Sequence, residues 1–293
     1  MKTFVYKVFV ASALLLVSVS SYAGKPVWLI GHRCNSLKMI EYALEDGGNG
    51  VEIDVTCGPT AGKQWCVSHS KFVSEDKCDS TEWMSLRSLL NKPILKDPKK
   101  NFCLLYVDIK DQKYVGQLID YVHAHCPHPD YYILYGLNLD KISKGHITDD
   151  ELKMLKEKLA GHDHEAFCTQ NDGGIKKIQE AFGRTGYPIT KYSYVDGNCI
   201  GFFGTFSYLK DAAVLRDSNP RQLCARTGFW TCQRVKDGKN TYRQAHCDFA
   251  MCECRGWGAS FAWRHTLKYV HDFLADPKNG YEMATKSTKF VWE

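Results

Sequence analysis

Two carboxylates alternate with β-branched residues in Val51-Glu52-Ile53-Asp54-Val55, which puts both acids on one face of an extended strand. With Val51, Ile53 and Val55 packed outward against helices, Glu52 and Asp54 point into the interior. Unpaired carboxylates are costly to bury there, and a cation is the natural remedy. Taken alone, the segment fits equally an edge strand with one solvated face. A second run, Phe102-Cys-Leu-Leu-Tyr-Val-Asp108-Ile-Lys110, ends in an acid and an ammonium two residues apart, so Asp108 and Lys110 also share a face. Three oxygen ligands, with water completing the shell, suit Mg2+ or Ca2+ better than zinc, which prefers His or Cys. Lys110 is placed either to neutralise a phosphate oxygen or, as a plain structural residue, to pair with one of these acids.

Two histidines stand close to these acids in the chain: His32 in Leu29-Ile-Gly-His32-Arg-Cys-Asn35 and His69 in Trp65-Cys-Val-Ser-His69-Ser. The chain has 11 histidines, and a lone histidine is more often structural than catalytic. Joint placement beside acidic strands is what distinguishes these two. Splitting a phosphodiester needs one group to take a proton and another to give one to the leaving oxygen, and a histidine pair does both near neutral pH. The sequence holds no G-x-S-x-G elbow, no G-x-x-x-x-G-K-[ST] loop and no cysteine-protease signature, so those hydrolase classes lack support.

Eight short apolar or alternating runs are positioned to carry these residues: Val27–Gly31, Gly50–Thr56, Phe102–Lys110, Tyr131–Gly136, Ala166–Thr169, Cys199–Gly204, Gly228–Cys232 and Asp248–Cys252. Amphipathic segments lie between them, among them Ser36–Glu45, Thr81–Leu90, Gln112–His125, Thr148–Leu159, Ile175–Phe182 and Phe261–Leu274. Alternation of strand and helix predicts an α/β fold with a parallel sheet, and eight units around one core predict a (β/α)8 barrel. In such barrels the C-terminal strand ends carry the active site, which is where Glu52, Asp54 and Asp108 fall. Trp65–His69 breaks the alternation. The spacer after Gly50–Thr56 cannot hold a crossover helix, so this strand is expected to return as an antiparallel hairpin arm. Lys92–Lys100 reads as a basic, Pro-containing loop.

The N-terminus has Lys2 and Lys7, an apolar run from Val8 to Val17, and Ser21-Tyr-Ala23 before Gly24, the pattern of a signal peptide over residues 1–23. The remaining 270 residues suit one barrel domain, 24–293. No later stretch approaches the ~20 apolar residues of a membrane helix. All 13 cysteines lie after residue 23, which in an exported chain points to disulfides; the odd count leaves at least one unpaired or bonded to another chain. Without residues 1–23 the charge falls from +5 to +3, which is no nucleic-acid signature and is compatible with an anionic lipid surface or an ordinary solvated exterior.

The ordered set Gly31-His32-x-x-Asn35, Glu52-x-Asp54-Val55, His69, Asp108-Ile-Lys110 and Gly228-Phe-Trp230-Thr resembles the sphingomyelinase D and recluse-spider phospholipase D family, relatives of the glycerophosphodiester phosphodiesterases. The resemblance implies that His32 and His69 are the catalytic pair, that Glu52, Asp54 and Asp108 hold Mg2+, and that Lys110 and Trp230 line the phosphate and head group. Met283-Ala-Thr285-Lys-Ser-Thr-Lys-Phe-Val-Trp292 is similar to the family's C-terminal tail, which plugs the closed end of the barrel. The reaction implied is cleavage of the head-group phosphodiester of sphingomyelin or lysophospholipids at a membrane surface, often with the substrate's own hydroxyl attacking phosphorus to leave a cyclic phosphate. A glycerophosphodiesterase acting on small soluble diesters, and a binding protein that keeps the barrel without turnover, are the alternatives. The chain departs from the family at Ser70, Gln233, Glu253, Lys289 and Val291. It also has no cysteine between His69 and Cys78, with Cys57–Cys66 a possible replacement for the family's loop disulfide.

Overall fold

A computed structural model describes residues 24–57, 65–69, 84–138, 147–170, 180, 193–198, 206–218, 226–232, 235–255 and 265–289. The sheet contains strands β1 (Lys25–Gly31), β2 (Gly50–Cys57), β3 (Trp65–Val67), β4 (Met84–Ser85), β5 (Leu104–Ile109), β6 (Tyr132–Asn138), β7 (Glu165–Gln170), β8 (Ser193–Asn198), β9 (Arg226–Cys232), β10 (Phe249–Cys252) and β11 (Tyr281–Met283). Eight of them run parallel in the order β1-β2-β5-β6-β7-β8-β9-β10. β10 pairs back onto β1 through Trp28↔Phe249 to Gly31↔Cys252, closing the ring. This is the expected (β/α)8 barrel.

Side chains alternate between two cores, as a strand buried on both faces requires. Val27, Leu29, Val51, Ile53, Val55, Leu105 and Val107 belong to the large cluster shared with the helices, whereas Trp28, Ile30, Leu104, Tyr106, Leu134, Phe249 and Met251 form a second, interior cluster. Register settles the direction of the acids. Glu52 pairs with Tyr106 and Asp54 with Asp108, and Tyr106 pairs in turn with Leu134 of the interior cluster. Glu52 and Asp54 therefore face into a buried barrel strand, and the solvated edge-strand alternative does not hold; they are 3% and 1% exposed.

The helices are α1 (Leu37–Glu45), α2 (Leu86–Leu90), α3 (Pro93–Lys96), α4 (Val115–His125), α5 (Asp149–Lys158), α6 (Phe206–Ser218), α7 (Val235–Ala245) and α8 (Thr266–Leu274). Their starts follow capping chemistry. The Ser36 hydroxyl accepts from the Met39 amide at the head of α1, and Thr148 with Glu151 makes a capping box on α5. α2 is shorter than the segment Thr81–Leu90 because Met84–Ser85 pairs antiparallel with β3, and the Ser85 hydroxyl then caps the helix. Lys92–Lys100, read as a loop, contains α3, for which Pro93 supplies a preset first turn. α6 and α7 add to the helices read from the sequence. The sixth barrel strand is Ser193–Asn198, one segment earlier than Cys199–Gly204, which lies outside the described residues along with most of Ile175–Phe182.

β3 runs antiparallel to β2 through Val55↔Val67, Thr56↔Cys66 and Cys57↔Trp65, and the Ser68 amide donates to the Asp54 carbonyl. Cys66 is disulfide-bonded, to a partner outside the described side chains. At the other end of the barrel, the carbonyl of Ala284 accepts from Asn49 Nδ2 at 2.9 Å and Asn101 Nδ2 at 2.8 Å, and Arg226 Nη2 donates to the Lys289 carbonyl at 2.6 Å. Among the described residues no helix is long and apolar enough to cross a membrane.

Candidate active site

A cleft of about 350 Å³ opens at the C-terminal strand ends and is lined by His32, Glu52, His69, Asp108, Lys110 and Trp230, with Asp54 buried behind them. Every residue singled out in the sequence is thus at one place. Each arrives there by strand logic: His32 follows β1, Glu52 and Asp54 lie on β2, Asp108 on β5 and Trp230 on β9, while His69 follows β3.

Carboxylate oxygens of Glu52, Asp54 and Asp108 all lie within 4.8 Å of one another. Lys110 Nζ sits between Asp54 and Asp108, 2.5 Å from Asp108 Oδ2. Burial opposes the charge on Lys110, but Asp108 and Asp54 outweigh it and hold the pKa above the ordinary lysine value. Burial, followed by the repulsion of Asp54 and Asp108, pushes the Glu52 carboxyl well above the usual carboxylate range. Lys110 supplies one positive charge against three carboxylates, so the fully ionised cluster lacks two positive charges. The all-oxygen donor set and that deficit both fit a hard divalent cation.

The backbone supports the cluster. Arg33 adopts a left-handed φ of 53° and its amide donates to Glu52 Oε2. A non-glycine residue in that region carries ~1–3 kcal/mol of strain, which is tolerated where the surrounding contacts fix it. Asn35 grips Asp54 twice: its Nδ2 donates to Asp54 Oδ2 at 2.6 Å, and its Oδ1 accepts from the Asp54 amide at 2.8 Å.

His32 is 7% exposed, with Nδ1 3.1 Å from Glu253 Oε1 and Nε2 3.4 Å from the Thr231 hydroxyl. The contact with Glu253 engages Nδ1 and leaves Nε2 turned towards Thr231. His69 is exposed. Partial desolvation, with Lys110 and Arg33 nearby, lowers its pKa below the ordinary histidine value against the pull of Asp54 and Asp108. The arrangement can hold a divalent cation and a bound anion beside two imidazoles able to exchange protons.

Glu253, which the sequence marks only as a departure from the family pattern, is the acid that meets His32. Its signal was present: an apolar run, Phe249–Cys252, followed by an acid at a C-terminal strand end, the pattern that marked Asp108. Behind His32, Cys34 Sγ and Cys254 Sγ lie 3.7 Å apart, both buried.

An eight-stranded parallel barrel with acids and histidines at its C-terminal mouth has the anatomy of a barrel enzyme. The family model for the dermonecrotic toxin SPH matches residues 23–248, and the chain belongs to this family. Its curated relatives include a dermonecrotic toxin of Hemiscorpius lepturus, 31% identical over 93 residues, 30% of this chain and 29% of that one. Another, from Loxosceles intermedia, is 33% identical over 110 residues, 36% of each chain. The chain thus matches about a third of the length of these relatives. Among solved structures, phosphoribosyl anthranilate isomerase of Thermotoga maritima is similar at 8% identity and a TM-score of 0.47, covering 86% of this chain and 98% of that one.

Proposed function

We propose that the protein is an exported, Mg2+-dependent phosphodiesterase of the phospholipase D type, cleaving the head-group phosphodiester of sphingomyelin or a lysophospholipid at a membrane surface. The observation that carries this reading is the convergence of His32 and His69 on the cleft that also holds Glu52, Asp108 and Lys110. Residues 1–23 are read as the export signal and residues 24–293 as one barrel domain. The segment after Met283 is read as its closing tail, a reading supported by the bonds that Asn49, Asn101 and Arg226 make to it.

Glu52, Asp54 and Asp108 would hold the cation, which when bound offsets negative charge developing on the phosphoryl oxygens. Lys110 brings an ammonium to the same phosphate, and Trp230 offers an aromatic face to a quaternary-ammonium head group. One histidine takes the proton of the attacking hydroxyl while the other supplies one to the departing head-group oxygen. Glu253 keeps His32 in a single tautomer and stabilises its imidazolium. The attacking group is the lipid's own hydroxyl, which yields a cyclic phosphate and the free alcohol.

Phosphorus NMR tests this with the mature protein and sphingomyelin, lysophosphatidylcholine or glycerophosphocholine, each with Mg2+ or EDTA. The expected result is a cyclic-phosphate signal from a lipid that disappears with EDTA and in His32→Ala. Turnover of glycerophosphocholine alone, or of nothing, would overturn the lipid assignment.

A further inference from the structure

Cys34 and Cys254 meet behind His32 although 220 positions separate them in sequence. Their Sγ atoms are 3.7 Å apart, and both residues are fully buried. Each stands just past the end of a strand: Cys34 in the loop after β1, and Cys254 directly after Glu253, which follows β10. The two strands are neighbours, with Gly31 paired to Cys252. The backbone around both cysteines is fixed. The His32 amide donates to the Cys252 carbonyl at 2.9 Å, the Cys34 amide donates to the Glu52 carbonyl at 2.8 Å, and the Glu253 carbonyl accepts from the Leu267 amide at 3.1 Å.

We propose that Cys34 and Cys254 are joined by a disulfide in the exported protein, tying the loop that carries His32 to the strand end that carries Glu253. The inference rests on the export reading of residues 1–23 given above. Paired strands stand ~4.8 Å apart, and a disulfide spans Cα atoms roughly 4.4–6.8 Å apart, so neighbouring strand ends offer a suitable backbone. Thiols in contact at 3.7 Å reach bonding distance by side-chain rotation, with no change of register. The reaction breaks two S–H bonds and makes one S–S bond. Two protons and two electrons pass to a disulfide oxidant of the export pathway, which leaves as two thiols.

The competing explanation is a pair of thiols packed as small apolar groups. Besides each other, the two sulfurs share a single acceptor, the His32 carbonyl, at 4.0 Å from Cys34 and 3.8 Å from Cys254. Neither S–H group therefore makes a close hydrogen bond in the core. Cys66 is itself disulfide-bonded, as in chains that mature in oxidising compartments. Burial, and then the neighbouring Cys254, push the Cys34 thiol well above its ordinary pKa, so the folded pair is slow to exchange. The bond forms as β10 docks against β1 and is shielded from reductants afterwards. A tie across 220 positions constrains the unfolded chain far more than one across a short loop.

The test is disulfide mapping of the full chain secreted from a eukaryotic host. Free thiols are alkylated in denaturant, and the unreduced protein is digested and analysed by mass spectrometry. A peptide joining Cys34 to Cys254 is expected. Cys34→Ala is expected to yield one additional free thiol, at Cys254, and to lower Tm by roughly 5–15 °C. Alkylated Cys34 and Cys254 in the wild type, or either residue bonded elsewhere, would overturn the proposal whether or not the variant folds. Cys66 separates the two readings: free Cys34 and Cys254 beside a bonded Cys66 overturn the cross-link alone, whereas a free Cys66 as well removes the oxidising export on which it rests. Activity is not the readout, so the outcome is independent of the phosphodiesterase assignment.

Discussion

His32 Nδ1 lies 3.1 Å from Oε1 of Glu253 across 221 positions of sequence, and Glu253 Oε2 has no hydrogen-bond partner. A carboxylate with one oxygen committed to an imidazole fixes which ring nitrogen faces the cleft. General acid–base groups contribute about 10²–10⁴-fold, so His32→Ala is expected to lower kcat within that range. Glu253→Gln is expected to lower kcat with little change in KM, because the amide can present either a donor or an acceptor to Nδ1. Initial rates over a substrate range check both, and an unaltered kcat in Glu253→Gln would remove the orienting role.

Chelation addresses the acidic cluster. EDTA should abolish turnover and Mg2+ should restore it, whereas Asp108→Asn should stay inactive at Mg2+ concentrations that saturate the wild type. Calorimetric Mg2+ titration of both proteins measures the loss directly, without relying on activity.

The pKa of His69 is lowered first by desolvation and then by Lys110 and Arg33. Removing a cation that lowers a pKa lets it rise. Lys110→Gln should therefore move the acid limb of the pH profile of kcat/KM to higher pH, in addition to reducing its height. A limb that stays in place would show that a group other than His69 sets it.

Asp248 is buried, yet Lys25, Arg216 and Arg226 outweigh burial and hold its carboxyl below the ordinary range. Lys25 Nζ is 3.2 Å and Arg226 Nη1 3.6 Å from Oδ1, while Arg216 Nη1 and the Thr227 amide bind Oδ2. With the folded pKa depressed, the stabilisation is present above the unfolded pKa and is lost as pH falls through the folded one. Asp248→Ala should cost about 3–5 kcal/mol at neutral pH, since it leaves buried cations unpaired, and should flatten the acid side of the stability profile. Urea unfolding at several pH values measures both effects.

Gly31→Ala tests how tightly the loop bearing His32 is seated. An added Cβ would stand 2.6 Å from Ala43 Cβ and 2.8 Å from Cys34 Sγ. Overpacking of this kind costs about 1–3 kcal/mol. Thermal unfolding should show that loss, with turnover falling because His32 is the next residue.

Much of the site was legible because strand period two is a local property: Val51 to Val55 declares its two faces without knowledge of any partner strand. The closed sheet that decides between a buried and an edge strand is not local, so that choice needed the register of Asp54 with Asp108. Ser193–Asn198 was missed because Asp-Gly-Asn reads as a turn, while the apolar run after it has the composition of a buried strand. α6 spreads its apolar residues around its circumference and so shows no clean helical stripe, whereas α7 is amphipathic but mostly polar, with Gly238 in its interior.

The ring of strands also sets a schedule. β1, the first of the described strands in the chain, has one edge paired with β2 and β11 and the other with β10, so that second edge stays open until residue 249 and its successors arrive. Contacts so distant in sequence form slowly and late. Until they do, a growing chain presents an unsatisfied β edge to its surroundings and His32 has no carboxylate behind it. The environment of His32 is thus tied to completion: a chain that ends before residue 249 lacks both β10 and the Glu253 carboxylate that His32 meets.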